Sequence, residues 1–228
     1  MILRFFLARV FVTRGVVLDI DDTLYLERDY VRSGLRAVGN HLVSNGHAQD
    51  FFDRAWALFE SGRRKTLFND LLPDFSLAQI AELLEVYRTH RPLLELCPDA
   101  ARFLARCPTD RPIGIITDGP PSSQMAKVQA LGLLPRADPI ILSDSFGVEF
   151  RKPHVRPYRE IEEAWTMGPA LLTYIADNPG KDFITPRQRG WRTIRIRRAL
   201  GEHAKVDPVS PDYDADFVIE SFDELYFD

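Results

Sequence analysis

Apolar residues along this chain follow two rhythms. Short unbroken runs, rich in β-branched side chains, occur at Gly15-Val16-Val17-Leu18-Asp19-Ile20, Pro112-Ile113-Gly114-Ile115-Ile116-Thr117 and Ala170-Leu171-Leu172-Thr173-Tyr174-Ile175-Ala176. Weaker runs are Ile140-Ile141-Leu142, Thr193-Ile194-Arg195-Ile196 and Phe217-Val218-Ile219. Such runs predict strands buried on both faces, as in a parallel sheet. Between them lie helical patterns, one from Ser122 to Leu131 stopped by Gly132 and one from Pro157 to Trp165. Strands alternating with helices predict an α/β domain with a mainly parallel sheet.

Residues 26 to 96 break this alternation. Val31, Leu35, Val38 and Leu42 recur at helical spacing before Gly46, and Phe52, Ala55 and Phe59 do the same. Ser76 with Gln79 forms a capping-box pattern opening a helix with Leu77, Ile80, Leu84 and Tyr87 on one face. The expected organisation is therefore a core of residues 1–25 and 97–228, with an all-helical insertion at 26–96 after the first core strand.

Composition narrows the function classes. The 228 residues are 45% hydrophobic and 27% charged with a net charge of −4, so no global positive field draws in nucleic acid or an anionic membrane. The two cysteines, Cys97 and Cys107, have no CxxC partner or histidine cluster, which argues against a disulfide framework or zinc site and suits a reducing cytoplasm. Arg4 and Arg9 interrupt the apolar start of the chain, and no small-residue cleavage site follows. The first thirteen residues are accordingly expected to be a short surface extension, or the product of a misassigned start codon, rather than a signal peptide or membrane helix.

The chemistry concentrates at strand ends. Asp19-Ile20-Asp21-Asp22-Thr23-Leu24 puts three acids directly after the first strand, where open α/β sheets bind ligands. Such acids repel one another unless a cation is present, although an acidic turn capped by Asp22 is the plainer alternative. The second strand ends at Thr117-Asp118-Gly119, a hydroxyl and backbone amides suited to a phosphate oxygen, or simply an Asp-Gly turn. Lys152 precedes a helix, and the third strong strand ends at Asp177-Asn178-Pro179-Gly180-Lys181-Asp182, two carboxylates five positions apart.

Taken together these four places resemble the haloacid dehalogenase superfamily. Its motifs are D-x-D-x-T-L, a threonine after the second strand, a lysine, and an acidic pair of the form D-x-x-x-x-D, in that order. The resemblance spans essentially the whole chain and implies a Rossmann-like three-layer core with an inserted helical cap of the family's first type. One departure is Ala176, where many members have glycine before the acid of the last motif.

The resemblance implies a phosphatase and assigns roles. Asp19 is the expected nucleophile on phosphorus. Asp21 is the expected general acid and base, with a pKa raised by neighbouring anions. Mg²⁺ is expected on the Asp19 side chain, the Asp21 carbonyl and Asp177, with Asp182 orienting metal waters or Lys152. Thr117 and the amides of Asp118 and Gly119 are expected to hold phosphate oxygens, and Lys152 to pair with Asp19 and the phosphoryl group. The cap is expected to close over this site on hinges near residues 25–28 and 96–98. Its basic cluster Gly62-Arg63-Arg64-Lys65-Thr66 is either a solvated loop, as charge runs usually are, or the place where Arg63 and Arg64 contact the non-reacting part of the substrate. The expected substrate is a small phosphorylated metabolite of unspecified identity. Metal-independent 2-haloacid dehalogenation, phosphoryl mutase chemistry and a non-catalytic interaction role are the competing readings. Asp21 argues against the first, because carbon–halogen cleavage does not need a second acid, and the full set of reactive side chains argues against the last.

Overall fold

The computed structural model describes residues 9–47, 49–64 and 66–227. They form two compact units, one built from residues up to Glu27 together with those from Glu95 onward, the other from Arg28–Leu94.

The larger unit has a Rossmann-like α/β core. In chain order its strands are β1 (Val10–Val12), β2 (Gly15–Leu18), β3 (Ile113–Thr117), β4 (Ile140–Leu142), β5 (Leu172–Ala176), β6 (Arg192–Ile196), β7 (Phe217–Ile219) and β8 (Leu225–Phe227). Six of them form one sheet in the order β4-β3-β2-β5-β6-β7, every neighbouring pair parallel. The apolar runs explain the centre of that sheet, since β2, β3 and β5 are buried at every position. Ala170 and Leu171 lie in a short 3₁₀ turn before β5 rather than in the strand. Chain order reverses about β2, because β3 and β4 lie to one side of it and β5 to β7 to the other. The carboxyl ends of β2, β3 and β5 therefore meet at the switch point where such sheets bind ligands.

The numbering of the helices begins in the insertion: α1 (Glu27–Ser44), α2 (Phe51–Glu60), α3 (Leu67–Leu71) and α4 (Leu77–Thr89). The larger unit then adds α5 (Pro98–Arg106), α6 (Pro121–Ala130), α7 (Arg156–Trp165) and α8 (Ile184–Gln188). Helix α5 carried no helical expectation, although Pro98 at its first turn is a start signal. Gly15 and Gly114 open a slot for Trp165 of α7. A Cβ at Gly15 would lie 2.9 Å from the Trp165 ring, and one at Gly114 would lie 3.1 Å from it.

Two expectations change. Residues 10–12, read as part of a surface extension, form β1, which pairs in parallel with β8 and buries Val12 completely. The first eight residues of that reading lie outside the described residues. In the helical unit the capping box of Ser76 and Gln79 forms, but the buried stripe of α4 is Ile80 and Leu83, with Leu77 exposed. The helix is turned towards Leu83, which packs with Leu35, Val38, Phe51 and Ala55. Arg63 and Arg64 follow α2 at the surface, and the Arg64 guanidinium lies 4.5 Å from the Phe59 ring centre. Lys65 lies outside the described residues.

Arg198 bolts the larger unit together. Its Nη1 donates to both oxygens of Asp99 at 2.8 Å, while Nε and Nη2 donate to the Thr23 carbonyl at 3.1 and 2.8 Å. Asp99 in turn accepts from the Phe222 amide at 2.8 Å. One side chain thus joins the loop after β2, the start of α5 and the turn before β8. Removing one partner of a buried pair strands the other charge, so Arg198→Met is expected to lower unfolding free energy by about 3 kcal/mol in urea denaturation.

Candidate active site

Asp19 leaves β2 at its carboxyl end, and its amide donates to the Ile175 carbonyl of β5 at 3.0 Å. That bond sets Asp19 beside the end of β5, where Asp177 follows Ala176. Asp19, Asp177 and Asp182 each bring a carboxylate oxygen within 4.8 Å of the others, and all three are buried.

A lysine stands among these acids. Lys152 Nζ donates to Asp19 Oδ1 at 2.7 Å and lies 2.9 Å from Asp182 Oδ1, with its side chain fully excluded from solvent. It also donates to the Tyr174 hydroxyl at 2.9 Å. Burial pulls the lysine pKa down, but Asp182 and Asp19 outweigh this and hold the ammonium well above its ordinary value. Asp182 uses its other oxygen to accept from the Asn178 amide at 3.0 Å, which folds the loop after β5.

The charge here is unbalanced. Burial, together with Asp182 and Asp19, pushes Asp177 well above the usual carboxylate range. Burial raises Asp19 to about 6 even though Lys152 opposes it. Three close carboxylates with one lysine among them present hard oxygen donors and excess negative charge, which suits a divalent cation such as Mg²⁺. The loop bearing Asp177 is held from behind by Arg195, which donates to the Asp177 carbonyl at 3.1 Å and to the His203 and Val206 carbonyls at 2.7 Å each.

Asp21 turns its carboxylate to a different set of partners. Lys127 of α6 donates to both of its oxygens at 2.8 Å, Gln124 Nε2 reaches Oδ2 at 3.4 Å, and the Tyr25 hydroxyl donates to Oδ1. This corrects the expected raised pKa. Burial does push Asp21 up, but the Lys127 charge and hydrogen bonds override it and leave the group below its ordinary value. Asp22 has the structural role of the simpler reading: at φ 50° it accepts from the Glu27 amide at 2.9 Å and the Glu202 amide at 2.7 Å.

The loop after β3 is more occupied than expected. The Thr117 hydroxyl donates to Gln124 Oε1 at 3.0 Å, and the Gly119 amide donates to Asp144 Oδ1 at 3.3 Å. The Asp118 carboxylate accepts from Ser143 Oγ at 2.7 Å, the Lys152 amide at 3.1 Å and Lys181 Nζ at 2.7 Å. Asp118 therefore ties three loops together through its side chain. Arg63 and Arg64 belong to the helical unit. Sequence reasoning missed Lys127, Gln124, Tyr25, Tyr174, Lys181 and Arg195. Gln124 and Lys127 fell within the helical pattern from Ser122 to Leu131, and Tyr174 and Arg195 within strand runs; no local signal marked them.

A family model for hydrolases of the haloacid dehalogenase-like type matches residues 13–183. Glyceraldehyde 3-phosphate phosphatase from Methanocaldococcus jannaschii is 26% identical over 223 residues, covering 93% of this chain and 95% of the relative. The enzyme of that name from Methanopyrus kandleri is 25% identical, with 93% and 95% covered. Among solved structures, the HAD-hydrolase YfnB from Bacillus subtilis bound to magnesium superposes with a TM-score of 0.67 at 20% identity, over 93% of this chain and 96% of that one. L-2-haloacid dehalogenase from Xanthobacter autotrophicus gives 0.58 at 22% identity, over 92% and 96%. At these identities the structural likenesses speak to fold alone.

The Asp118 network carries a pH signature. Burial pushes Asp118 up, but Lys152 and Lys181 override it and hold the carboxyl at about 2. Because this is below the unfolded value near 4, the stabilisation is complete above about pH 4 and is lost as pH falls towards 2. Wild type should exceed Asp118→Asn in unfolding free energy by about 2 kcal/mol at pH 7, with about half of that difference gone at pH 3. Denaturant titrations of both proteins at the two pH values measure this.

Proposed function

We propose that this chain, which belongs to the haloacid dehalogenase-like hydrolases, is a Mg²⁺-dependent phosphatase that cleaves a small phosphomonoester through an aspartyl-phosphate. The observation that carries this reading is the trio Asp19, Asp177 and Asp182 gathered about buried Lys152. The phosphatases of the two archaea match the chain along nearly its whole length. A phosphorylated triose is therefore the first substrate to test.

In the first half-reaction an Asp19 oxygen attacks phosphorus, the ester P–O bond breaks, and the leaving alkoxide takes a proton from Asp21, which Lys127 holds ionised before substrate enters and which takes that proton up from the arriving phosphate monoanion. In the second half-reaction water loses a proton to Asp21 and attacks phosphorus, the P–O bond to Asp19 breaks, and inorganic phosphate leaves. Lys152 stays charged beside Asp19 and stabilises the phosphoryl oxygens as negative charge builds. Mg²⁺ would be held by the side chains of Asp19 and Asp177 and the carbonyl of Asp21, and it would supply the positive charge that lets a carboxylate approach a phosphate dianion. Asp182, already engaged with Lys152 and the Asn178 amide, orients Lys152. Thr117, and the amides of Asp118 and Gly119, are the donors proposed for phosphate oxygens. The Thr117 and Gly119 donors must exchange their present acceptors, Gln124 and Asp144, for phosphate.

Phosphate release from a panel of phosphorylated metabolites should require Mg²⁺ and stop with EDTA. Asp19→Asn should lower the rate by at least about 10³-fold, in line with the loss seen when a catalytic nucleophile is removed. A wild-type rate for that variant would sink the assignment. Full activity in EDTA, with halide released from a 2-haloacid, would establish the dehalogenase reading instead.

Selection among phosphates must come from residues beyond the phosphoryl site, and we assign part of it to Arg63 and Arg64. Arg63→Ala and Arg64→Ala should each raise KM for the preferred substrate several-fold, with a smaller change for p-nitrophenyl phosphate. An unchanged KM and substrate ranking in both variants would return this cluster to solvated surface.

A further inference from the structure

Lys127 is a buried ammonium that none of the proposed chemical steps uses, yet it bonds to both oxygens of the proposed acid–base group. Its side chain is 4% exposed, and both of its bonds to the Asp21 oxygens are 2.8 Å. Burying such a pair carries a desolvation cost that a well-packed apolar side chain would avoid, so core packing alone does not account for it.

The surrounding geometry gives Lys127 a direction of action. Helix α6 starts two residues beyond Gly119 and presents Gln124 and Lys127, one helical turn apart, to the same carboxylate. Gln124 also accepts from the Thr117 hydroxyl at 3.0 Å, so Asp21 and the proposed phosphate donor share one helix as their support. Gly119 leaves room for this arrangement, because a Cβ there would lie 2.7 Å from Gln124 Nε2. Tyr25 adds a third donor group to the Asp21 oxygens. With both oxygens engaged, the orientation of the carboxylate is fixed, and to serve a leaving oxygen it gives up one of these bonds and takes up a proton as substrate enters.

We propose that Lys127 is a positioning residue that aims the Asp21 carboxylate at the leaving-group oxygen, so that Lys127 governs how well the enzyme handles phosphate esters whose alkoxide must be protonated as it departs. This rests on the phosphatase reading, in which Asp21 serves that oxygen. A correctly placed acid matters greatly for an alkyl alkoxide and little for p-nitrophenolate, which leaves unaided. The quantity kcat/KM covers only the steps up to leaving-group departure, so the second half-reaction does not blur the comparison.

The experiment compares kcat/KM for the preferred alkyl phosphate and for p-nitrophenyl phosphate in wild type, Lys127→Met, Asp21→Asn and the double variant. The alkyl-to-aryl ratio should fall about 10²-fold in Lys127→Met, the lower range of general acid–base contributions. Asp21→Asn should lower the ratio at least as far, and Lys127→Met added to it should change the ratio less than about twofold, since coupled residues are non-additive. A ratio that stays level or rises in Lys127→Met overturns the proposal, as does a fully additive double variant, because a merely structural lysine would depress both substrates alike. Where Lys127→Met does not fold, Lys127→Gln, which keeps a donor without the charge, is judged by the same ratio. Wild type run alongside separates the two levels: no phosphate release there from any ester removes the phosphatase reading itself, whereas an active wild type with an unchanged Lys127→Met ratio removes only the role of Lys127.

Discussion

The contact on which the site depends is the buried ammonium of Lys152 between Asp19 and Asp182. Carboxylates from the ends of two neighbouring parallel strands converge there, and without an opposite charge their repulsion would push the loops apart. Lys152 neutralises part of that charge and takes its own stability from it, since a lysine this deep is costly alone. The remaining negative charge lies on Asp19 and Asp177, where burial and the nearby Asp182 carboxylate already raise both pKa values. This is the negative charge that the proposed Mg²⁺ would balance.

The fold delivers these groups with few parts. Parallel strands buried on both faces put Asp19 and Asp177 side by side at the switch point of the sheet, a position set by topology before any side chain is chosen. Loops then carry the remaining groups inward. Asp118 ties the loops bearing Ser143, Lys152 and Lys181, while Arg195 holds the backbone of Asp177 from the far side. Each anchor is a charged side chain bonded to backbone or to an opposite charge, which is how polar groups remain tolerable in an interior. Two of the three acids of the first loop, Asp19 and Asp21, are kept in separate environments. Asp19 faces Lys152 and the acidic cluster, whereas Asp21 faces Lys127, Gln124 and Tyr25. Splitting neighbouring carboxylates in this way allows two residues apart in sequence to take different chemical parts.

What the amino-acid sequence determined alone was the architecture and the placing of acids at the ends of its strands. Unbroken β-branched runs can be satisfied only inside a parallel sheet, and acids at the ends of those runs emerge at its carboxyl edge. The capping box of Ser76 and Gln79 and the strands ending at Leu18, Thr117 and Ala176 followed from local rules that depend on residues a few positions apart. Tertiary structure decided everything that depends on which distant residue arrives nearby. Asp21 has a lowered rather than a raised pKa because Lys127, 106 positions away in sequence, lies against it. Residues 10–12 became a strand because the end of the chain supplies β8 as a partner. Helix α4 buries Leu83 instead of Leu77 because its neighbours choose the face. Spacing along the chain encodes periodicity and local turns, but burial and electrostatic partnership are properties of proximity in space, and only the folded chain sets them.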